Sequence, residues 1–355
     1  MEYIKGRGAQ INPDNRFLEH SYEKDLSFLQ HLHQAGEKER KPKTEYITVH
    51  PKTIVNKVES PDIPFSYSLN PYQGCEHGCI YCYARNSHEY WGYSAGTDFE
   101  TKILIKENAA DLLREKFKSK SWKPVPIMLS GNTDCYQPIE RKLKITRSIL
   151  EVCLKYRHPI GIITKNAMVT RDTDILSELA KLKLAKVVIS LTSLKDKTRS
   201  LLEPRTSAVG VRLNAIRSLS EAGIPTMVMM APIIPSINST EIMKLAEKVA
   251  ENGATDLAYT IIRLNGIIPE IFTDWVEKNF PDRADKVLNQ IKELHGGSLN
   301  DSRYKTRMRG EGELSNQIHQ MFALAKRKYK LGLEKHPFDL TLFRKIKDDN
   351  QMELF

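Results

Sequence analysis

Six short apolar runs, most of them followed by a stretch with apolar residues every three or four positions, restrict this chain to a narrow set of folds. The runs are Phe65 to Leu69, Val125-Pro126-Ile127-Met128-Leu129, Ile160-Gly161-Ile162-Ile163-Thr164, Val187-Val188-Ile189-Ser190-Leu191, Thr226-Met227-Val228-Met229-Met230 and Leu257-Ala258-Tyr259-Thr260-Ile261-Ile262. Between them, Glu140 to Tyr156, Asp172 to Leu184, Val211 to Ala222 and Ser239 to Asn252 carry helical periodicity. Ser239 and Thr240 stand before Ile242 as capping residues, and Gly223 supplies a helix stop after Ala222. Strands that alternate with helices predict an α/β fold with a parallel sheet, because parallel neighbours need a crossover to bring the chain back.

Outside those units the pattern changes. Residues 1–60 read as an N-terminal extension rich in Gly, Pro, Asn and charge, with one amphipathic stretch at Leu26 to Leu32. Residues 61–269 hold the repeated units, and 270–346 turn helical at Glu270 to Phe280, Ala284 to Leu294 and Ser315 to Leu331. A basic, Gly-rich loop is expected from Gly296 to Gly312, and residues 347–355 form a tail. The longest apolar stretch, Ile224 to Ile234, is broken by Pro225 and Pro232, and Met1 to Arg7 has no signal-peptide core. A cytoplasmic protein without a membrane partner is therefore expected. Five cysteines, an odd number with three in one motif, argue against a disulfide framework and for a reducing compartment.

That motif is Gly74-Cys75-Glu76-His77-Gly78-Cys79-Ile80-Tyr81-Cys82, in which one short loop offers three thiolates. A [4Fe–4S] cluster is normally held by four cysteines, so a loop of three leaves one iron open to something that is not protein. The alternative is zinc, with His77 or His88 as the fourth ligand. Structural zinc ligands more often come as two separated pairs, and the chain has no second pair.

The spacing, with Tyr81 before the last cysteine, resembles the signature of radical S-adenosylmethionine (SAM) enzymes. The resemblance implies a partial (β/α)6 TIM-type barrel, a [4Fe–4S] cluster bound by Cys75, Cys79 and Cys82, and SAM chelating the fourth iron. One electron, from a donor such as flavodoxin or ferredoxin, would then cleave SAM to methionine and a 5′-deoxyadenosyl radical. Three further phrases resemble the spore photoproduct lyase-like group, in an uncharacterised branch, over roughly residues 60–270: Asn132-Thr133-Asp134-Cys135-Tyr136-Gln137-Pro138, Ile163-Thr164-Lys165-Asn166 and Leu202-Glu203-Pro204-Arg205-Thr206-Ser207. The N-terminal run Gly6-Arg7-Gly8-Ala9-Gln10-Ile11-Asn12-Pro13 also fits that branch.

The radical SAM resemblance implies that Ser130, Gly131, Asn132, Thr133 and Asp134 lie beside the methionine end of SAM, with Asp134 and Thr133 accepting from its ammonium, and the narrower one adds two residues. Lys165 would contact the SAM carboxylate, and Ser190 would face the ribose or carboxylate. The plainer reading makes Asp134 a turn and cap residue and Lys165 a surface residue. The lyase, which reverses a thymine dimer in DNA, uses a cysteine as hydrogen-atom donor where this chain has Gly131; Cys135, four residues on, is the candidate donor here. Cys153 lies on the apolar face Ile149-Cys153-Tyr156 and reads as core. Tyr67, Tyr72, Tyr81, Tyr83 and Tyr136 fall near the expected mouth, where aromatics either stack a base or pack beneath the loop.

Net charge is +10, with basic residues gathered at Lys116 to Lys123, Arg303 to Arg309 and Lys326 to Lys330. Such a surface suits polyanions, and is also common on proteins that never meet them. The last five residues, Gln351-Met352-Glu353-Leu354-Phe355, resemble the peptide by which bacterial repair proteins dock on the sliding clamp. Together these features predict a radical SAM enzyme acting on nucleic acid, in repair of damaged DNA. The rivals are RNA or protein modification, and a zinc-stabilised, non-enzymatic DNA-binding accessory factor.

Overall fold

The computed structural model describes residues 3–18, 27 and 42–346. Its main sheet contains β2 (Val55–Lys57), β3 (Tyr67–Leu69), β6 (Ile127–Leu129), β7 (Ile160–Thr164), β8 (Ala185–Ser190), β9 (Thr226–Ile233) and β10 (Asp256–Ile261). A second sheet joins β1 (Glu45–Thr48), β4 (Tyr72–Gln73) and β5 (Lys102–Ile105). Five helices alternate with the main strands: α1 (Ala109–Lys118), α2 (Ile145–Tyr156), α3 (Thr173–Lys181), α4 (Val209–Glu221) and α5 (Ile242–Glu251). Three more follow β10: α6 (Ile268–Asn279), α7 (Ala284–Leu294) and α8 (Gly312–Lys328).

In the main sheet β3, β6, β7, β8, β9 and β10 are parallel, each paired to the next in chain order, while β2 lies antiparallel on β3. The sheet ends at β2 and β10 without pairing them to each other, which is the open (β/α)6 arc expected of a partial barrel. All six expected strands form, with bounds that differ by up to three residues. β7 is buried along nearly its whole length, as a strand covered on both faces must be. Because the strands are parallel, the turns after Leu69, Leu129, Thr164 and Ser190 all emerge at one end.

Several expectations change. The helix expected from Glu140 to Tyr156 breaks at Lys144, which is left-handed with φ 54°. Glu140 turns inward, where its carboxylate accepts from Tyr72 and from the Thr146 amide at 3.1 Å, so the helix restarts at Ile145. Ser239 and Thr240 lie in a 3-10 turn, Ser239–Glu241, rather than capping α5 by side chain. The three-stranded sheet was not anticipated. Within the basic loop, Thr306–Arg309 form a helical turn, Arg303 pairs with Asp301 and Glu311, and Arg307 pairs with Asp62. The stretch Leu26 to Leu32, Ser27 apart, and the pentapeptide Gln351 to Phe355 lie outside the described residues. Among the described residues no helix is long and apolar enough to cross a membrane.

Candidate active site

β4 delivers the chain into the cysteine loop through Gly74, whose φ of +76° favours glycine and where a Cβ would come within 2.7 Å of the Lys102 carbonyl oxygen. The Cys75 amide donates to Phe99 O at 2.8 Å, Gly78 N to Cys75 O at 3.3 Å and Cys82 N to Cys79 O at 3.3 Å, so the loop folds back on itself twice. It ends in the 3-10 helix Tyr83–Trp91. All three cysteines are free thiols; Cys75 and Cys79 are buried and Cys82 half-buried. Burial pushes the Cys75 thiol well up, with the charges of Asp134, Cys79 and Cys82 adding to it, and holds the Cys79 thiol at about 12. Two buried thiols so disfavoured as anions, with a third beside them on the same loop, call for a cationic centre to share.

The loop is clamped from two sides. From β6 comes Gln137, whose side-chain oxygen accepts the Glu76 amide at 2.9 Å, while the Glu76 carboxylate accepts the Ile139 amide at 2.9 Å and the Tyr46 hydroxyl at 3.0 Å. From β8 comes the phrase Leu202 to Ser207: Ile80 N donates to Leu202 O at 3.0 Å and Arg205 N to His77 O at 3.3 Å. Between these backbone ties sits Glu203, fully buried, whose carboxylate accepts from the Tyr81 and Thr192 hydroxyls and pairs with Arg212 at 2.7 Å. Burial opposes the Glu203 charge, but Arg212 and Lys165 outweigh it and hold the carboxyl at about 2. Burial, with the Glu203 charge adding to it, drives the Tyr81 hydroxyl well above its ordinary value, so it remains a donor.

The strand-end residues are brought together at the same mouth. Lys165 follows β7 with its ammonium 5.9 Å from the Tyr81 ring centre. Burial lowers its proton affinity, yet Cys79, Glu203, Cys82 and Asp134 more than offset this and keep it a cation. Ser190 is buried at the end of β8, and its carbonyl accepts from Arg212 at 2.7 Å. After β6, Ser130 is left-handed with φ 72° and its hydroxyl accepts the Cys135 amide at 2.8 Å. Asn132 N and Thr133 N both donate to Asn70 Oδ1, at 2.8 and 3.3 Å, and the Thr133 hydroxyl donates to Tyr72 O at 2.7 Å.

Asp134 differs most from expectation. Its Oδ1 accepts from Thr164 Oγ1 at 2.7 Å and from Tyr136 N at 2.9 Å, and its Oδ2 from Lys165 N at 2.8 Å, with His77 Nδ1 at 3.2 Å. Burial disfavours its charge, and His77 with these donors reverses that, to about 2. Both oxygens are occupied, so Asp134 ties the β6 turn, β7 and the cysteine loop together rather than offering a free acceptor. Cys135 is fully enclosed in the core, its thiol raised far by burial, as is Cys153. Tyr72 and Tyr136 are also core residues, bonded to Glu140 and Asp172, while Tyr67 packs edge-on to Trp122. Tyr83 alone of the five is exposed, at 55%, and its hydroxyl donates to Gly131 O.

Sequence reasoning missed Glu203, Arg212, Gln137, Asn70 and the role of His77. The repeated polar residues of Leu202 to Ser207 were the available signal. The donor set fits a [4Fe–4S] cluster: three unpaired thiols on one loop, with a lysine cation close by. A cube needs sulfurs at three separate corners, and one loop carrying three cysteines offers them. His77, one of the two extra donors weighed for zinc, is turned to Asp134.

A model of the radical SAM superfamily matches residues 69–249. An uncharacterised protein of Mycobacterium tuberculosis is 30% identical over 262 residues, 72% of this chain and 76% of its own length. Another, from Methanocaldococcus jannaschii, is 28% identical over 249 residues, 70% and 88% of the two chains. The structure of spore photoproduct lyase complexed with dinucleoside spore photoproduct is similar in fold, with TM-score 0.59 at 16% identity over 83% of this chain and 82% of that one. The chain therefore belongs to the radical SAM superfamily and is an enzyme that uses a [4Fe–4S] cluster and SAM.

Proposed function

We propose that this enzyme acts on nucleic acid, specifically on damaged DNA, by abstracting a hydrogen atom from a substrate carbon presented at the mouth of the barrel. The observation that carries the reading is the ring of Tyr83, exposed immediately after Cys82 and anchored through its hydroxyl to Gly131 O. A fixed aromatic face one residue from the cluster suits stacking of a base taken out of its helix. The net charge of +10 favours a polyanion, and the lyase of similar fold was solved with a dinucleoside photoproduct.

In this reading Lys165 meets the SAM carboxylate and Ser190 the ribose, while the backbone of Ser130, Gly131 and Asn132 borders the methionine end. Thr133 and Asp134 hold that border in place. The chemistry the cofactors supply is reductive cleavage of SAM to a 5′-deoxyadenosyl radical, with electrons from a flavodoxin or ferredoxin. Cys135 is enclosed and does not reach the substrate, so return of a hydrogen atom is not assigned to it. Residues 61–269 would be the catalytic unit of a cytoplasmic enzyme, flanked by 1–60 and 270–346. The tail 347–355 would dock on the sliding clamp through Gln351 to Phe355.

The test is anaerobic reduction of the reconstituted protein with SAM and deuterated DNA containing defined lesions. Deuterium in 5′-deoxyadenosine with one lesion and not with undamaged DNA is expected. No transfer from any DNA, alongside selective binding of tRNA, would move the reading to RNA.

A further inference from the structure

The run Gly6 to Pro13 has no part in the reading above and lies outside the matched family region, yet Arg7 to Gln10 are buried against the cysteine loop. Gly8 N and Ala9 N donate to the carboxylate of Glu100 at 3.0 and 2.8 Å. The same carboxylate takes Arg85 Nη2 at 2.5 Å, and Arg85 Nε donates to the carbonyl of Cys79 at 3.0 Å. Arg7 Nη1 adds a bond to Glu100 O at 2.7 Å. Further along, Thr97 N donates to Ile11 O at 3.2 Å, and Asn15 Nδ2 to Glu89 O at 2.8 Å and Tyr93 O at 3.0 Å. The contact leaves no room: a Cβ on Gly8 would lie 1.8 Å from the carbonyl oxygen of Gly78, the residue before Cys79.

We infer that residues 6–15 form a strap latched by Glu100 over the cysteine loop, fixing Gly78 and Cys79 and closing that side of the cluster to small solutes. Glu100 is a positioning residue. It is fully buried, and a buried carboxylate is tolerated only when paired and hydrogen-bonded, which here takes donors from the strap and from Arg85 together. Bonds therefore run without interruption from the strap through Glu100 and Arg85 to the Cys79 carbonyl. Loss of the strap removes two of the donors to the Glu100 carboxylate and uncovers Gly78. This assignment depends on the cluster and not on the substrate.

The experiment compares full-length, anaerobically reconstituted wild type with Gly8→Ala and Asn15→Ala, measuring iron release to an added chelator through the fall in the cluster's visible absorbance. Circular dichroism melting reports on the barrel separately. Gly8→Ala is expected to release iron at least about fivefold faster, the ratio by which a modest loss of latch stability shifts a local opening equilibrium. Asn15→Ala frees the far end of the strap without a clash, so it carries the same prediction at smaller size even if Gly8→Ala misfolds. Gly210→Ala, where the added methyl meets open space, is expected to leave the rate unchanged. Release at the wild-type rate from Asn15→Ala and from folded Gly8→Ala would overturn the strap.

Discussion

Replacing Glu203 with Gln keeps the side chain's volume and removes its charge, which asks whether the Arg212 pair holds the cysteine loop. In the fold the carboxylate has four donors: Tyr81, Thr192, Arg212 at 2.7 Å and, more weakly, Thr206 at 3.4 Å. Breaking a buried ion pair from one side costs about 3–5 kcal/mol, because the remaining charge stays buried. Here the lower end applies, since Arg212 keeps the carbonyls of Ser207 at 2.8 Å and Ser190 at 2.7 Å. Tyr81→Phe removes the hydrogen bond to the charged acceptor, worth about 1.5–3 kcal/mol, along with the 3.3 Å contact to the Thr192 hydroxyl, and leaves the ion pair whole. Denaturant titration of the apo-protein under reducing, anaerobic conditions should therefore rank Glu203→Gln below Tyr81→Phe, and both below wild type. Because Leu202 and Arg205 tie the loop on either side of Glu203, Glu203→Gln should also retain less iron per chain after reconstitution. A Glu203→Gln chain with the wild-type midpoint, slope and iron content would refute the reasoning.

Two other predictions concern the barrel. His158 is buried between Phe117, Trp122 and Phe343, with Trp122 Nε1 donating to its Nε2 at 3.3 Å and its Nδ1 3.0 Å from Pro159 O, an arrangement that suits a neutral ring. Burial lowers it from 6.5 to about 3. The unfolded chain thus takes up the proton first, so its contribution is fully present above about pH 6.5 and is lost as pH falls toward 3. The loss is at most about 4–5 kcal/mol, and His158→Phe should flatten that slope in urea titrations run at stepped pH. Gly131→Cys would place a thiol at the mouth of the barrel, but its Cβ would meet Ser68 Cβ at 2.9 Å. A loss of about 1–3 kcal/mol is expected, recovered in part when Ser68→Gly is added, as read from thermal midpoints.

The parts of this molecule visible in the sequence are those where one residue type carries its own constraint. The six parallel strands announce themselves because a strand covered on both faces must be apolar along its length, as Ile160 to Ile163 are. The cysteines do so because no other side chain offers that chemistry at that spacing. β1 and β4 gave no such sign: four and two residues long, they form only by pairing with Lys102 to Ile105, more than fifty positions from Glu45. Charged residues mislead in both directions for the same reason, since a sequence does not say what faces them. Arg303 and Arg307 looked like a free basic loop and are paired with Asp301, Glu311 and Asp62. Nothing in the sequence assigns a role to Glu100, Arg85, Glu203 or Arg212, and all four are fully buried around the loop. A site that gathers three thiols must restrain a loop whose own sulfurs repel one another when ionised, and hydrophobic packing alone gives no fixed direction. Buried ion pairs with several backbone partners each supply that direction, which is why the charges that hold this loop sit behind the cysteines.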